Sequence, residues 1–296
     1  MINDGQSLWF NQKKYSLKQL THKSFKLATA MQEKGIKPGC EQKVLIVLRR
    51  SPALLVAHLS TFIAGGVIVC IDPETPRDRI DNIIDDIKPS IIITHPDIYK
   101  ANAFQDQITF KLDDVLQHFN LDYKDININI HFSLKSAAYI VFTSGTTGKP
   151  KGVVVEWNSL NRLIDWHTKT FDVTKDSIVS LTSSPGFDAS IWEIWGAIAS
   201  RASIYMTTID ERLNPELLKN TWIKHQVTHS FVSTPIAERL MELDWDNSHV
   251  ALKYLLVGGD KLTKYPSKDL PFHVVNNYGP SEGTVVSTSG IVERAD

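Results

Sequence analysis

The feature that most constrains this chain is a recurrence: short runs of β-branched and other apolar residues, each followed by a segment whose apolar side chains fall at helical spacing. Val44-Leu45-Ile46-Val47-Leu48 and Val67-Ile68-Val69-Cys70-Ile71 are apolar at every position rather than at alternate ones. Strands of that kind are covered on both faces, which points to parallel sheets with helices on either side. Between the two runs, Ser51-Pro52 opens a segment carrying Leu55, Leu59 and Phe62, and Gly65-Gly66 closes it. Proline suits a first helical turn and glycine the position past the last, so one βαβ unit is complete. Upstream, Ser16 is a candidate N-cap for a helix whose Leu17, Leu20, Leu27, Ala28 and Met31 repeat until Gly35. Downstream the cycle predicts a helix over Arg77 to Ile87, a strand over Ile91 to Ile93, and strands near Ala138–Thr143, Ile178–Thr182, Ser203–Met206, His229–Val232 and Leu252–Val257. The fold class is α/β, with parallel-rich sheets flanked by helices in two packed lobes. The polar, weakly periodic stretch from about Tyr99 to Lys135 is where a lobe boundary is expected.

Composition removes several functions. The 296 residues, 42% of them hydrophobic, suffice for a substantial core. Lys plus Arg (32) nearly cancel Asp plus Glu (33), so no overall field favours nucleic acid or an anionic membrane. No apolar run approaches the roughly 18 residues of a membrane span, and the first residues lack a basic and then apolar leader, so a cytoplasmic protein is expected. Cys40 and Cys70 are too few for a disulfide framework and read as small buried apolar residues. His225 and His229 are four apart but straddle the entry to a strand, which spoils a helical metal pair. Asp81, Asp85 and Asp86 read as a solvated helix face.

The richest chemistry follows the strand Ala138-Tyr139-Ile140-Val141-Phe142. Thr143-Ser144-Gly145-Thr146-Thr147-Gly148-Lys149-Pro150-Lys151-Gly152 packs three glycines, four hydroxyls and two lysines into ten residues. Glycine-freed backbone amides, hydroxyl donors and mobile ammonium groups suit phosphate oxygens. The spacing is not that of a Walker A loop, which needs four residues between glycine and Gly-Lys where this chain has two.

The decapeptide resembles the phosphate loop of the adenylate-forming superfamily, and three further segments agree in order. Ala64-Gly65-Gly66 through Ile71-Asp72-Pro73-Glu74-Thr75-Pro76 and Arg79 is similar to the second core motif of amino-acid adenylation domains. Phe187-Asp188-Ala189-Ser190-Ile191-Trp192-Glu193 resembles the fourth, and Asn276-Asn277-Tyr278-Gly279-Pro280-Ser281-Glu282 the fifth. Trp157 departs from the pattern, since such domains usually carry histidine there. The resemblance implies the large N-terminal part of a nonribosomal peptide synthetase adenylation domain, a ligase that joins a carboxylate to the α-phosphate of ATP. It implies that Thr143, Ser144, Gly145, Thr146, Thr147, Gly148, Lys149, Lys151 and Gly152 cradle the β- and γ-phosphates. Ser281 would lie near the α-phosphate and Glu282 would help hold Mg²⁺. Tyr278 would offer a ring face to adenine, Asn276 its edge, and Gly258 and Gly259 close backbone approach.

For the acid, Asp188 stands in an apolar neighbourhood, where a carboxylate is costly without a cation. In the amino-acid-activating branch the matching aspartate pairs with the substrate's α-ammonium group. A plain helix N-cap is the alternative reading of Asp188. Aligned with the family, the side-chain pocket comprises Asp188, Ala189, Trp192, Phe231, Leu256, Gly258, Asn277, Val285 and Val286, a string the family associates with leucine. A peptidyl carrier protein and neighbouring synthetase domains are the implied partners, with no nucleic acid or membrane. The family's later motifs, with the ribose-binding aspartate, the hinge and the catalytic lysine of a small C-terminal domain, are expected to be missing. On that reading these residues alone would be weak or inactive. Another adenylate-forming ligase of the acyl-CoA synthetase kind, or a non-catalytic nucleotide- or amino-acid-binding remnant, is the competing expectation.

Overall fold

The computed structural model describes residues 5–101, 104, 108–113, 116, 128, 132–144, 150–246 and 249–294. In chain order, strands β1 (Ser7–Phe10) and β2 (Lys13–Ser16) precede helix α1 (Leu17–Glu33). Then come β3 (Lys43–Val47), α2 (Pro52–Ala64), β4 (Val67–Ile71), α3 (Arg77–Ile87), β5 (Ile91–Thr94), α4 (Pro96–Ala101) and β6 (Thr109–Lys111). The middle holds β7 (Ala137–Ser144), β8 (Pro150–Glu156), α5 (Trp157–Thr170), β9 (Ile178–Leu181), α6 (Asp188–Ser200) and β10 (Ser203–Met206). The remainder is α7 (Ile209–Leu213), α8 (Pro215–His225), β11 (His229–Ser233), α9 (Thr234–Met241), β12 (Tyr254–Gly258), β13 (His273–Tyr278) and β14 (Thr288–Ile291). Among the described residues no helix is long and apolar enough to cross a membrane.

The chain forms two compact units. One contains Tyr15–Asn161 and Ser184–Asp188; the other contains Gly5–Lys14, Arg162–Ser183 and the residues from Ala189 onward. Much of the stretch 99–135, where a lobe boundary was expected, lies outside the described residues.

The first unit is built on a six-stranded sheet ordered β6-β5-β3-β4-β7-β8, parallel except for the antiparallel pair β7/β8. Strands β3, β4 and β5 hardly alternate because they are buried on both faces. Helix α3 turns Ile80, Ile83 and Ile87 toward Leu45, Val69 and Ile92, while Asp85 and Asp86 face solvent and Asp81 pairs with Arg77 at 2.9 Å. Ser16 caps α1, its hydroxyl accepting from the Gln19 amide at 3.4 Å. Gly65 ends α2 at φ 84°, in the left-handed region, and a Cβ there would lie 2.7 Å from Pro38 Cα. The departure at Trp157 has a packing reason. Its buried indole meets Phe62 and Phe132 edge-on at 4.8 and 5.8 Å, closing an aromatic cluster. Of the two cysteines, Cys70 is buried in β4 as expected, but Cys40 is exposed. It sits in a turn where its amide donates to the Lys37 carbonyl, a position that faces water.

The second unit carries an eight-stranded sheet ordered β14-β13-β12-β11-β9-β10-β1-β2. Its β13/β14 pair is antiparallel, and β12, β11, β9, β10 and β1 pair in parallel. Helices α8 and α9 bury Leu218, Trp222, Ala237 and Leu240 against Leu255 and Val257. His225 and His229 do not form a metal pair. The first packs on the Tyr205 ring at 4.6 Å, and the second, at the start of β11, bonds the Phe171 carbonyl through Nε2 at 2.8 Å.

In α2, His58 is fully buried and neither ring nitrogen has a partner among the described residues. Burial holds its pKa down to about 3, so it is neutral when folded and protonates in the unfolded chain below about 6.5. The unfolded state then binds the extra proton, so stability falls as pH drops from 6.5 toward 3. The predicted slope from this residue is about 1.4 kcal/mol per pH unit. Urea midpoints from about pH 7 to about pH 5 should show it, and His58→Leu should remove that part of the slope.

Candidate functional site

In the first unit the glycine-rich segment is the connection of a β-hairpin. β7 carries Thr143 and Ser144 at its end, and β8 returns antiparallel with Lys151 opposite Thr143 and Gly152 opposite Phe142. Lys151 and Gly152, read from sequence as loop, are therefore strand residues, because Val153, Val154 and Val155 continue an extended run after them. Gly145, Thr146, Thr147, Gly148 and Lys149 lie outside the described residues. Lys151 is exposed. A Cβ on Gly152 would come within 3.1 Å of Ile140 and 3.3 Å of Phe142, so glycine lets the hairpin close over β7.

The segment 184–188 is anchored in the same unit. The Ser184 hydroxyl donates to the carboxylate of Asp72, just past the end of β4, and that carboxylate also accepts from the Glu74 amide at 3.0 Å. The Phe187 amide donates to the Ser184 carbonyl at 3.0 Å, and a Cβ on Gly186 would sit 3.0 Å from the Asp72 nitrogen. This tight turn delivers Asp188 as the first residue of α6 rather than as its cap. Burial, reinforced by the charge of Asp188, pushes the phenol of Tyr139 above its ordinary range. Ser184 is a positioning residue that no pattern in the sequence singled out, and Asp72, quoted there only within a motif, positions the turn with it.

In the second unit α6 continues with Ala189 and Trp192 buried. Its Glu193 accepts from the Thr182 amide at 2.9 Å and the Ser183 amide at 3.0 Å, fixing the helix against the end of β9. Trp192, Phe231 and Leu256 come together, lining one cavity that leaves about 30 Å³ for the centres of water-sized molecules. The Trp192 and Phe231 rings meet at 5.6 Å. Gly258 ends β12, where a Cβ would lie 2.9 Å from the Asn277 carbonyl and 3.3 Å from Phe231. Asn277 is buried; its amide donates to the Val257 and Val275 carbonyls at 3.3 and 3.1 Å, and its Oδ1 is left without a partner among the described residues. Val286 is not at this cavity. It lines a wider groove of about 470 Å³ with Trp166, Tyr254 and Ile291.

Beyond β13 the chain makes a compact loop through the one-turn 3-10 helix Ser281–Gly283. Tyr278 is 71% exposed, so its ring face is open, and Asn276 and Glu282 are exposed as well. Thr284 and Val285 stand at φ 61° and 65°, a left-handed conformation that β-branched residues resist at a cost of about 1–3 kcal/mol each. The loop holds them there: the Val286 amide donates to the Thr284 carbonyl at 2.7 Å and the Ser287 amide to the Tyr278 carbonyl at 2.9 Å. Gly259, at φ 92°, has open space around it.

The AMP-binding enzyme family profile matches residues 3–296. The chain belongs to the AMP-binding enzyme family. It is 36% identical over 277 residues to a linear gramicidin synthase protein of Brevibacillus parabrevis, a match that covers 93% of this chain and 4% of that protein. It is 35% identical over 295 residues to bacitracin synthase 1 of Bacillus licheniformis, covering 99% and 5%. The chain thus spans a small part of these curated relatives. Among solved structures, the nonribosomal peptide synthetase FmoA3 in its AMPPNP-bound form superposes with a TM-score of 0.84 at 20% identity, covering 99% of this chain and 32% of that one. NpsA-ThdA, an artificially fused adenylation–PCP di-domain from Klebsiella oxytoca, gives 0.82 at 20% identity, covering 98% and 57%. The chain therefore has the fold of these adenylation domains, α/β with parallel-rich sheets flanked by helices, as the sequence led us to expect.

The loop after β13 supplies a test. A Cβ on Gly279 would lie 2.6 Å from the Val285 carbonyl and 2.7 Å from the Ser287 nitrogen, both backbone, whereas one on Gly290 meets nothing within 4 Å. Gly279→Ala should therefore destabilise the chain by about 1–3 kcal/mol, and Gly290→Ala by less than about 0.5. Urea midpoints of the two variants, measured beside the parent, check the contrast.

Proposed function

We propose that this chain, as part of a complete adenylation domain, activates an amino acid, L-leucine, with ATP as leucyl-AMP, for transfer to the thiol of a peptidyl carrier protein in cytoplasmic nonribosomal peptide synthesis. The observation that carries the reading is Asp188 at the first position of α6, one helical turn before Trp192, which with Phe231 and Leu256 forms the apolar part of a cavity's wall. The names of the relatives support it: one is a linear gramicidin synthase, another a bacitracin synthase, and one structural neighbour joins an adenylation domain to a PCP.

In the reaction a carboxylate oxygen of leucine attacks the α-phosphorus of ATP. An O–P bond forms, the bridging bond to the β-phosphate breaks, and pyrophosphate leaves with the electron pair. Negative charge crowds on the phosphate oxygens, so aligned donors and cations lower the barrier. In this reading Thr143, Ser144, Lys151 and Gly152, with the connection 145–149, hold the β- and γ-phosphates. Ser281 donates near the α-phosphate. The open ring of Tyr278 stacks on adenine, with Asn276, Gly258 and Gly259 at its edge. Glu282 is an exposed carboxylate, and no cluster of three or more acidic, histidine or cysteine side chains exists among the described residues. That suits Mg²⁺ shared with phosphate oxygens rather than caged by protein. Bound there, Mg²⁺ would neutralise phosphate charge. The Asp188 carboxylate pairs with the α-ammonium group, a need that fatty and aryl acids lack. In this reading Leu256, Phe231 and Trp192 favour a branched aliphatic side chain, Ala189, Asn277 and Val285 belong to the same pocket, and Val286, which lines the wider groove, does not face it. An apolar wall separates neighbours one methylene apart by only about 1–3 kcal/mol, so isoleucine, valine and methionine follow leucine.

Asp188→Ala leaves the ammonium group unpaired. Calorimetry should show leucine binding reduced at least about tenfold and ATP binding unchanged, the selective loss expected when a single charge-assisted contact is removed. Equal losses for both ligands, or none for leucine, contradict the role.

A further inference from the structure

The cavity beside Trp192 has a polar wall that the aligned pocket string does not include. His167, in the last turn of α5, is buried at 7% exposure. Its ring stands edge-on to Trp192 at 5.1 Å and tilted on Phe171 at 5.3 Å. One turn on from Trp192 along the same helix, α6 presents Gly196, where a Cβ would come 3.3 Å from His167 Cδ2 and 3.6 Å from Nε2. The imidazole is therefore seated in a notch that a glycine leaves in the facing helix. With Trp192, Phe231 and Leu256 it lines the small cavity, and both its Nδ1 and the Trp192 Nε1 are buried without a partner among the described residues. Burial, with a smaller contribution from His229, holds its pKa down to about 3, so the ring is neutral across the physiological range.

We propose that His167 is a further specificity-determining residue: its imidazole forms the far wall of the cavity that receives the amino-acid side chain, and its seat against Gly196 sets how deep that cavity is. The inference rests on reading this cavity as the side-chain pocket. Its physical content is that pocket depth is fixed by a contact between two helices as well as by residues at strand ends. Removing the ring extends the cavity toward α5. Adding a methyl at Gly196 makes the ring give by a few tenths of an ångström, which on this proposal shortens the cavity.

The test is amino-acid-dependent ATP–pyrophosphate exchange by the intact protein with leucine, valine, methionine and phenylalanine, for the parent, His167→Ala and Gly196→Ala. The expected result for His167→Ala is a rise of at least about tenfold in the phenylalanine-to-leucine ratio of kcat/KM, the scale of discrimination that pocket volume supplies. For Gly196→Ala the valine-to-leucine ratio should rise several-fold. In both, the KM for ATP should stay within about twofold, because a side-chain pocket acts on the amino acid and not on the nucleotide. A merely structural role would lower all four amino acids and ATP together. A folded His167→Ala protein that keeps the parent's ranking overturns the proposal. If that variant fails to fold, an unchanged ranking in Gly196→Ala overturns it instead. A parent that prefers another of the four overturns only leucine, since the shift is read against whichever is preferred. A parent inert with every amino acid overturns both readings.

Discussion

Strands buried on both faces leave a protein few places to do chemistry. In β3, β4 and β5 of the first sheet, and in β12 of the second, apolar side chains cover both sides. Reacting groups must then come from the ends of strands and the segments that leave them, at their carboxyl ends in open parallel sheets. The chain follows this throughout. Asp72 follows β4, Thr143 and Ser144 end β7, Gly258 and Gly259 mark the end of β12, and Tyr278 ends β13. Thr182 and Ser183, just past β9, take the carboxylate of Glu193 and so fix the helix that begins with Asp188.

That constraint also explains what was legible in the sequence. Uninterrupted runs such as Val67–Ile71 announce doubly covered strands, and Ser16, Gly65 and Gly35 mark helix ends by conformational preference, so these elements were read correctly. The short strands β1, β2 and β6 were not, because so few residues carry too little periodicity to stand out. β8 was hidden for a different reason. Its first residues, Pro150, Lys151 and Gly152, have the composition of a loop and pair only because β7 offers an edge. The site divides in the same way. Groups whose chemistry is local, Asp188 in its motif or Lys151 after the glycines, were visible. Residues that matter through a distant contact, such as Ser184 on Asp72 or His167 on Gly196, were not, since nothing in the sequence near either one names its partner.

Close packing and backbone strain both occur in the second unit. Gly258, Phe231 and the Asn277 carbonyl are in such close contact that no side chain fits at 258, which holds β11, β12 and β13 closely together beside the cavity that Phe231 and Leu256 line. The adjoining loop stores conformational energy at Thr284 and Val285, as segments that clasp a ligand commonly do.

The central claim is that Asp188 makes this an amino-acid adenylating site rather than one for simple carboxylic acids. Pyrophosphate exchange measured in parallel with the twenty amino acids and with matched acids lacking the amino group, such as 4-methylpentanoate beside leucine, tests it most directly. The account predicts exchange driven by leucine, less by its aliphatic neighbours, and none by 4-methylpentanoate. Exchange supported equally by 4-methylpentanoate and leucine would contradict it.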